Sequence, residues 1–175
     1  MLTSGEIEAA KRAGLLFPVR PRDKWTGKPR AFLMCEPLHT ALEQGRADSD
    51  KKVRQRWAEL EAAMIHFVEN GRVTADLLKQ LQPPKYEHWE LRNRRPKPSL
   101  RVFGRFALPN VFVGTHVKRR EELSGMWSAE FEQEKLVCEQ YYAAAGLKAV
   151  FSAAPSFEYS SYITENATAT IKVTK

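Results

Sequence analysis

Apolar and polar residues alternate in three neighbouring segments of the chain, 86–93, 99–108 and 110–118. A period of two predicts β-strands, because successive side chains of a strand point to opposite faces of its sheet. One predicted face is mostly apolar and carries Trp89, Leu91, Asn93, Leu100, Val102, Phe106, Val111, Val113 and Val117. The other predicted face carries His88, Glu90, Arg92, Arg101, Phe103, Arg105, Phe112, His116 and Lys118. Turn residues at 94–98 and 108–110 join the strands into an antiparallel meander.

Helical spacing appears in two segments before the meander. Apolar residues of the segment 50–70 are four or three positions apart, as on one face of a helix: Val53, Trp57, Leu60, Met64 and Phe67. A second helix is predicted to start at Thr74 and to be stopped by Pro83 and Pro84. We expect these two helices to cover the apolar face of the sheet as a hairpin.

Capping residues and apolar runs mark the remaining elements. Thr3 and Glu6 form a capping box ahead of a short helix that should end at Gly14. An apolar run at 31–36 predicts a buried central strand, and a last helix is predicted over 128–145.

These elements predict an α+β fold with a small antiparallel or mixed sheet covered on one face by an α-hairpin. The main domain spans 31–146. Residues 1–30 form an N-terminal helix and an irregular basic arm, and 147–175 form a C-terminal extension. The extension contains an alternating stretch at 167–173, which predicts an added edge strand or a segment ordered by a partner protein.

Positive charge is concentrated in the predicted meander. Residues 85–120 contain ten Lys and Arg against two Glu, a local balance of +8 in a chain whose net charge is +7. A half-buried sheet normally solvates its outer face with charges of both signs, so a basic face indicates a polyanionic partner, most commonly nucleic acid. The alternative is a solvated sheet face in a basic protein.

Other classes of function lack their signals in this sequence. The apolar runs are only a few residues long, and Glu6 and Glu8 stand where a signal peptide is uncharged, so we expect a cytoplasmic protein with no membrane partner. Cys35 and Cys138 are expected to be buried free thiols, and no Cys or His spacing predicts a metal site. No phosphate-binding glycine-rich loop or nucleophile motif is present, and we expect no cofactor.

Several short motifs follow one another in an order typical of a known family. They are FVENG at 67–71, WELR at 89–92, RVFG at 101–104, the apolar strand at 111–116 and the basic triplet at 118–120. By these motifs and the order of the elements, residues 31–145 resemble the RelE/ParE superfamily of bacterial and phage toxins, particularly its phage-derived HigB-like branch. Residues 1–30 and 147–175 lie outside the resemblance.

The resemblance implies an activity. RelE-type members cut messenger RNA in the ribosomal A site without a metal, and ParE-type members inhibit DNA gyrase. The resemblance therefore implies RNA at the ribosome as target and a cognate antitoxin as partner. By position, His88 and Glu90 stand where RelE-type strands place general-base candidates, and Arg101 and Arg119 match two arginines of the family. Glu90 replaces an expected cation, and no Tyr follows Arg119 at the customary distance.

Metal-free RNA cleavage requires a base for the ribose 2′-OH, cations for the pentacovalent phosphate and an acid for the 5′-oxygen. The chain offers candidates for each role: His88 or Glu90 as the base, Arg101 and Arg119 as the phosphate clamp, and His116 or Lys118 as the acid. The cations expected to bind the RNA backbone are Arg92, Arg94, Arg95, Lys97, Arg105, Lys118 and Arg120.

Structural alternatives stand beside these roles. Glu90 can be an ion-pair partner of Arg92 or Arg101, and His116 can be a satisfied structural histidine. Two functions therefore stay open: a metal-independent endoribonuclease toxin, or a non-catalytic protein of the same fold that binds gyrase, RNA or a host complex. A third is a degenerate family member whose role lies in its unmatched ends. An endoribonuclease needs its base and both clamp arginines to converge on one phosphate, whereas a binding protein needs only positive potential.

Overall fold

The described part of the chain, residues 3–125 and 127–168, is organised in the computed structural model around a six-stranded mixed sheet. In chain order the strands are β1 (Leu16–Pro18), β2 (Ala31–Cys35), β3 (Val73–Thr74), β4 (Leu78–Gln80), β5 (Trp89–Arg92), β6 (Leu100–Leu108), β7 (Val111–Arg119) and β8 (Ala167–Thr168). The helices are α1 (Ser4–Arg12), α2 (Glu36–Ala47), α3 (Lys51–Val68), α4 (Ala129–Ala144) and α5 (Tyr159–Tyr162), with 3₁₀ turns at Pro84–Tyr86 and Arg120–Glu122.

The main sheet has the strand order β1-β2-β7-β6-β5-β4. β2 and β7 run parallel, and the other neighbours run antiparallel. β3 and β8 form a separate parallel pair. The predicted α+β class, the meander β5-β6-β7 and the buried strand β2 are confirmed.

A helical hairpin packs on one face of the sheet, but one of its helices differs from the prediction. α3 occupies the predicted segment and begins after Asp50, whose carboxylate accepts the Lys52 N–H at 2.7 Å. Its partner is α2, which the sequence pattern does not predict. Pro37 lies in the first turn of α2, where the N–H that proline lacks would have no helical partner.

The helix predicted to start at Thr74 is wrong. The segment contains β3 and β4 instead, and β4 pairs with β5 so that Leu78 lies opposite Leu91. Leu78 packs in the core under the helical hairpin, whereas Leu81 packs in the cluster under α4. Leucine side chains therefore pack on both faces of this edge segment, and the resulting spacing is easily confused with that of a helix.

A β-bulge in β7 places Phe112 on the face opposite to the predicted one. Thr115 is an extra residue between two pairs of the β6–β7 ladder, and such an insertion reverses the alternation beyond it. Phe112 consequently packs under the helical hairpin, with its ring centroid 5.2 Å from those of Phe32 and Phe106. Val113 is turned to the other face, in a cluster with residues of α1 and α4.

α4 lies across the face of the sheet that the sequence analysis predicts to be exposed and basic. The helix begins after Ser128, as predicted, and the chain leaves it at Gly146 with a left-handed φ of +77°. Phe131 and Cys138 of α4 pack against Phe103 of β6. The expectation of an open outer face is therefore wrong, because the apolar side of α4 covers its middle.

The C-terminal segment from Phe151 onward completes the core under the helical hairpin. Tyr162 is fully buried, and its ring lies 4.9 Å from that of Trp89 and 5.3 Å from that of Phe106, measured between centroids. Buried Glu87 accepts hydrogen bonds from the Tyr162 hydroxyl and from the Ala153 N–H. The predicted added strand is present only as β8, which pairs with β3 rather than with the main sheet, and positions 169–173 of that prediction lie outside the described residues.

The N-terminal segment is more ordered than predicted. The capping box of Thr3 and Glu6 is confirmed at the start of α1, and Gly14 follows the helix with a φ of +71°. Within the segment predicted to be an irregular arm, β1 forms an edge strand on β2. In the described part of the chain no helix has the length and apolar character needed to cross a bilayer.

Candidate functional site

The register of the sheet arranges the predicted site residues in two rows on the face under α4. The first row runs from Arg92 through Arg101 to Lys118, on β5, β6 and β7. The second row runs from Glu90 through Phe103 to His116. Because neighbouring strands lie about 4.8 Å apart, the backbones of Glu90 and His116 are separated by about 10 Å.

Glu90, Arg92 and Arg101 form the arginine cluster. The Glu90 Oε1 atom lies 3.1 Å from Arg101 Nη1 and 3.4 Å from Arg92 Nη1. All three side chains are largely buried, with 4%, 17% and 12% of their surfaces exposed. Glu90 Oε2 and Arg101 Nε are buried and have no hydrogen-bond partner within residues 3–125 and 127–168. The cluster therefore contains an acceptor and a donor that the described chain does not satisfy.

Burial is the main cause of a lowered pKa for Arg101. Glu90 opposes the shift, and the charges of Arg92, Arg120 and Arg94 add to it. An arginine nevertheless stays protonated, because its ordinary pKa is far above neutral. Several guanidinium groups are thus held close together with one carboxylate among them, an arrangement that favours an added anion.

Further cations surround the arginine cluster at one end of the sheet, where the β5–β6 turn and the end of β7 meet. We call this surface the cationic end; it comprises Arg92, Arg94, Arg95, Lys97, Arg101, Lys118, Arg119 and Arg120. Five of these residues are exposed: Arg94, Arg95, Lys97, Arg119 and Arg120. Arg94 pairs with Asp76, and Arg119 lies 3.4 Å from Glu121 and 3.7 Å from Glu122.

Arg119 and Arg101 belong to opposite faces of the sheet. Arg119 pairs in register with Leu100, whose side chain lies in the core under the helical hairpin. Arg101 pairs with Lys118, on the face under α4. Residues directly opposite each other on an antiparallel pair share one face. The structure therefore does not bring these two predicted clamp arginines together.

His116 is held between the sheet and α4. Its Nε2 lies 2.8 Å from Glu134 Oε2, and its Nδ1 lies 3.0 Å from Thr115 Oγ1. The ring stacks on Phe103 at a centroid distance of 5.1 Å. Burial lowers the pKa of His116, against the opposing effect of Glu134. Both ring nitrogens are engaged inside the protein, which leaves neither free for a substrate.

Lys118 is the more accessible of the two predicted acids. Its side chain is 38% exposed, and its Nζ lies 3.3 Å from Glu134 Oε1. The same carboxylate thus contacts His116 through one oxygen and Lys118 through the other. Lys118 follows Arg101 in its row and can reach a ligand bound at the cationic end.

His88 lies under α4 and faces Glu139 of that helix, not the residues of the arginine cluster. Its Nε2 is 3.2 Å from Glu139 Oε1, without hydrogen-bond geometry, and Arg105 Nη1 is 3.9 Å from the same oxygen. Burial, followed by the charges of Arg105 and Lys135, lowers the pKa of His88 to about 3. Glu139 favours protonation, but it is half exposed and shared with Arg105, so burial decides the direction. His88 is neutral at pH 7.

We expect His88 to make the fold sensitive to mild acid. Its folded pKa of about 3 lies below the unfolded value of 6.5, so its stabilising contribution is present above pH 6.5 and is lost as the pH falls toward 3. The free energy of unfolding should drop by about 1–2 kcal/mol between pH 7 and pH 5 through this group. Urea unfolding at both pH values measures the drop, and His88→Gln should reduce it.

The same substitution at exposed His66 controls for the loss of a histidine as such. An equal acid sensitivity in the parent and in the His88→Gln variant would show that His88 is not the responsible group.

Sequence reasoning did not single out the carboxylates that bind the predicted site residues. Glu134 and Glu139 lie on α4, and Asp76 lies before β4. A signal existed for the first two: they are five residues apart on a helix that follows the basic strands, where opposite charge favours docking. Asp76 had no comparable signal, because its segment was predicted to be helical.

The predicted buried thiols are confirmed. Cys35 and Cys138 are both free and buried, and burial raises the pKa of each to about 12. Among residues 3–125 and 127–168, no three His, Cys, Asp or Glu side chains are grouped so that they could hold a metal ion. No family model, curated protein or solved structure matches the chain.

Proposed function

We propose that the protein is a toxin of the toxin–antitoxin type with a RelE-like fold, restrained by a cognate antitoxin. Its cationic end binds messenger RNA, at the ribosome, and its arginine cluster cleaves the RNA backbone without a metal. One observation carries the proposal: a carboxylate, Glu90, lies beside two guanidinium groups at the edge of an exposed cationic surface. This combination supplies a base and a phosphate clamp within one cluster.

In the proposed reaction Glu90 removes the proton of a ribose 2′-OH, and the 2′-oxygen attacks the adjacent phosphorus. Arg101 and Arg92 bind the oxygens of the pentacovalent phosphate, where negative charge develops. Lys118 gives a proton to the departing 5′-oxygen, and a 2′,3′-cyclic phosphate remains. Glu90 then loses its proton to solvent, and Lys118 takes up a proton from solvent.

RNA must reach a buried carboxylate in this mechanism. Glu90 is only 3% exposed, and its Oε1 atom contacts both Arg101 and Arg92. A phosphate can replace the carboxylate as the partner of one guanidinium, because both anions accept the same pair of N–H donors. Binding of the phosphate therefore frees Glu90 to act as the base.

A non-catalytic role is the second candidate, and the position of α4 favours it. The helix covers the middle of the basic face, and both predicted site histidines are buried beneath it. The exposed cations of the turn and of the end of β7 remain available to a polyanion or to an acidic protein surface. Such a protein would arrest a target such as gyrase or an RNA complex by binding alone.

Inducible expression in a bacterium, with growth and messenger-RNA ends followed together, separates the two candidates. The proposed endoribonuclease arrests growth and produces new internal RNA ends. The purified protein should cleave a magnesium-independent RNA substrate in chelator and leave a 2′,3′-cyclic phosphate or a 3′-phosphate. Growth arrest without new RNA ends would support the binding role, and chelator-sensitive cleavage with 5′-phosphate ends would reject this mechanism.

RNA association should weaken steeply with salt. If about five cations contact phosphates, the slope of log K against log salt is near −3 to −4, at roughly −0.7 per phosphate of a single strand. A triple alanine variant of Arg94, Arg95 and Lys97 should reduce the magnitude of this slope by about 2. Fluorescence anisotropy with a labelled RNA at several salt concentrations measures both.

The matched control removes the same charge from the N-terminal segment by replacing Arg12, Lys24 and Lys28, all exposed, with alanine. A salt slope that falls equally in both triple variants would mean that binding reflects net charge and not the cationic end.

A further inference from the structure

An open groove lies beside the edge strand β4, and Arg92 belongs both to its lining and to the arginine cluster. It has a volume of about 540 Å³ and lies between α3, the β3–β4 segment and the β5–β6 turn. Ala62, Ala63 and Leu77 give it an apolar lining. A lining of this kind suits the flat face of a nucleobase, which stacks or packs on apolar side chains without a hydrogen bond.

Arg92 connects this groove with the arginine cluster. Its Nη1 faces Glu90 at 3.4 Å, and its Nε and Nη2 donate to the carbonyl oxygens of Asp76 and Ala75 at 2.8 and 2.7 Å. These bonds fix the guanidinium where it borders both sites. A nucleotide whose phosphate lies at the arginine cluster can therefore place its base in the groove.

The polar side chains that line the groove determine which hydrogen-bond donors and acceptors a bound base must present. Asp76 is an exposed carboxylate whose Oδ1 pairs with Arg94 and lies 3.7 Å from Arg92 Nη2, and Glu59 contributes a second carboxylate to the lining. Both carboxylates repel a phosphate and accept N–H donors. The Arg95 guanidinium also lines the groove, is exposed, and has no hydrogen bond or ion pair with the described residues.

We infer that the groove binds a guanine base of the RNA, an inference that rests on the proposed function. Guanine is the base that presents two adjacent donors, N1–H and N2–H, and these match the two oxygens of the Asp76 carboxylate. Its O6 and N7 acceptors match the Arg95 guanidinium. Adenine and cytosine present one donor beside an unprotonated ring nitrogen, which faces the carboxylate unfavourably, and uracil presents a single donor.

Short RNA strands of equal length and charge test this preference. Heptanucleotides of uridine with a central G, A, C or U are titrated at one salt concentration by fluorescence anisotropy. The strand with G should bind roughly 5- to 100-fold more tightly than the others, the range expected for one bidentate contact to a base. Equal affinities, or a preference for another base, would overturn the inference while the proposed function stands.

Asp76→Asn is the diagnostic variant, because it keeps the size of the side chain and removes the double acceptor. We expect the preference for G to disappear while affinity for the other strands stays within about twofold. Glu43→Gln, which removes an exposed carboxylate paired with Arg46 on α2, is the matched control and should keep the preference. Retention of the preference in Asp76→Asn would contradict the assignment of this carboxylate.

Phosphate-free guanosine and adenosine separate the inference from the proposed function. Guanosine should shift the methyl resonances of Ala62, Ala63 and Leu77 at concentrations where adenosine does not, because these methyls line the groove. If the RNA strands fail to bind but guanosine gives these shifts, the proposed function fails and the groove assignment holds. If neither nucleoside shifts the methyls, the groove assignment fails.

Discussion

Arg101→Ala is expected to lower the rate of RNA cleavage by about 10²–10³-fold, the usual effect of removing one preorganised donor from a charged transition state. Growth arrest in the expressing bacterium should disappear with it. The sequence alone suggests that this change spares the fold, but in the structure Arg101 is largely buried and pairs with Glu90 at 3.1 Å. The variant leaves Glu90 with Arg92 as its only remaining cation contact at 3.4 Å among the described residues. We therefore also expect a lower melting temperature.

Two further variants keep the test decisive. Arg101→Lys retains a positive charge for Glu90 but loses the planar fork, so it should stay folded and still lose at least tenfold in rate. Arg46→Ala removes a partly exposed arginine that pairs with Glu43 and Glu61 on the helical hairpin, and should leave cleavage unchanged. Full toxicity of a folded Arg101→Ala or Arg101→Lys protein would remove the ribonuclease proposal in its present form.

Tyr162→Ala is expected to lower the free energy of unfolding by about 3–5 kcal/mol, because it leaves a large cavity in the core. The ring packs edge-on against Trp89 and Phe151 and beside Phe106. Tyr162→Phe keeps these contacts and removes only the hydroxyl that donates to buried Glu87, so it should cost about 1–3 kcal/mol. Chemical denaturation of the three proteins measures both differences.

Tyr86 provides the control, since 49% of its surface is exposed. Tyr86→Ala should change the free energy of unfolding by about 0.5 kcal/mol or less. A Tyr162→Ala protein as stable as the Tyr86→Ala protein would show that the C-terminal segment does not contribute to the core as described.

Several regular elements were predictable because local patterns determine them, whereas α2 was not predicted. α3 and α4 have capping residues and helical spacing, and β5, the first part of β6 and the part of β7 after Thr115 alternate regularly. The segment 73–81 was not predictable, because leucines on both faces of an edge strand imitate a helix. The position of Phe112 was missed for a different reason: one inserted residue, Thr115, reverses a face, and no local signal marks it.

The candidate site was predictable in its residue types but not in its partners. Alternation correctly placed Glu90, Arg101 and Lys118 on one face. What covers that face depends on tertiary packing: α4 brings Glu134 to His116 from another element, and no spacing within the strands reveals this contact. The opposite faces of Arg101 and Arg119 follow from simple alternation, because Lys118 pairs with Arg101 and the next residue, Arg119, pairs with Leu100; the motif order alone did not reveal this.

Because β2 pairs with β7, which is far along the chain, the main sheet cannot form until late in synthesis. Ala31 pairs with Val111, so the inner edge of β2 stays open until the ribosome has made about 80 further residues. At 5–20 residues per second this interval lasts roughly 4–16 seconds, and the core residue Tyr162 arrives later still. The apolar strand β2 and the hairpin of α2 and α3 therefore lack their sheet partner on the nascent chain throughout this interval, during which a chaperone can bind them.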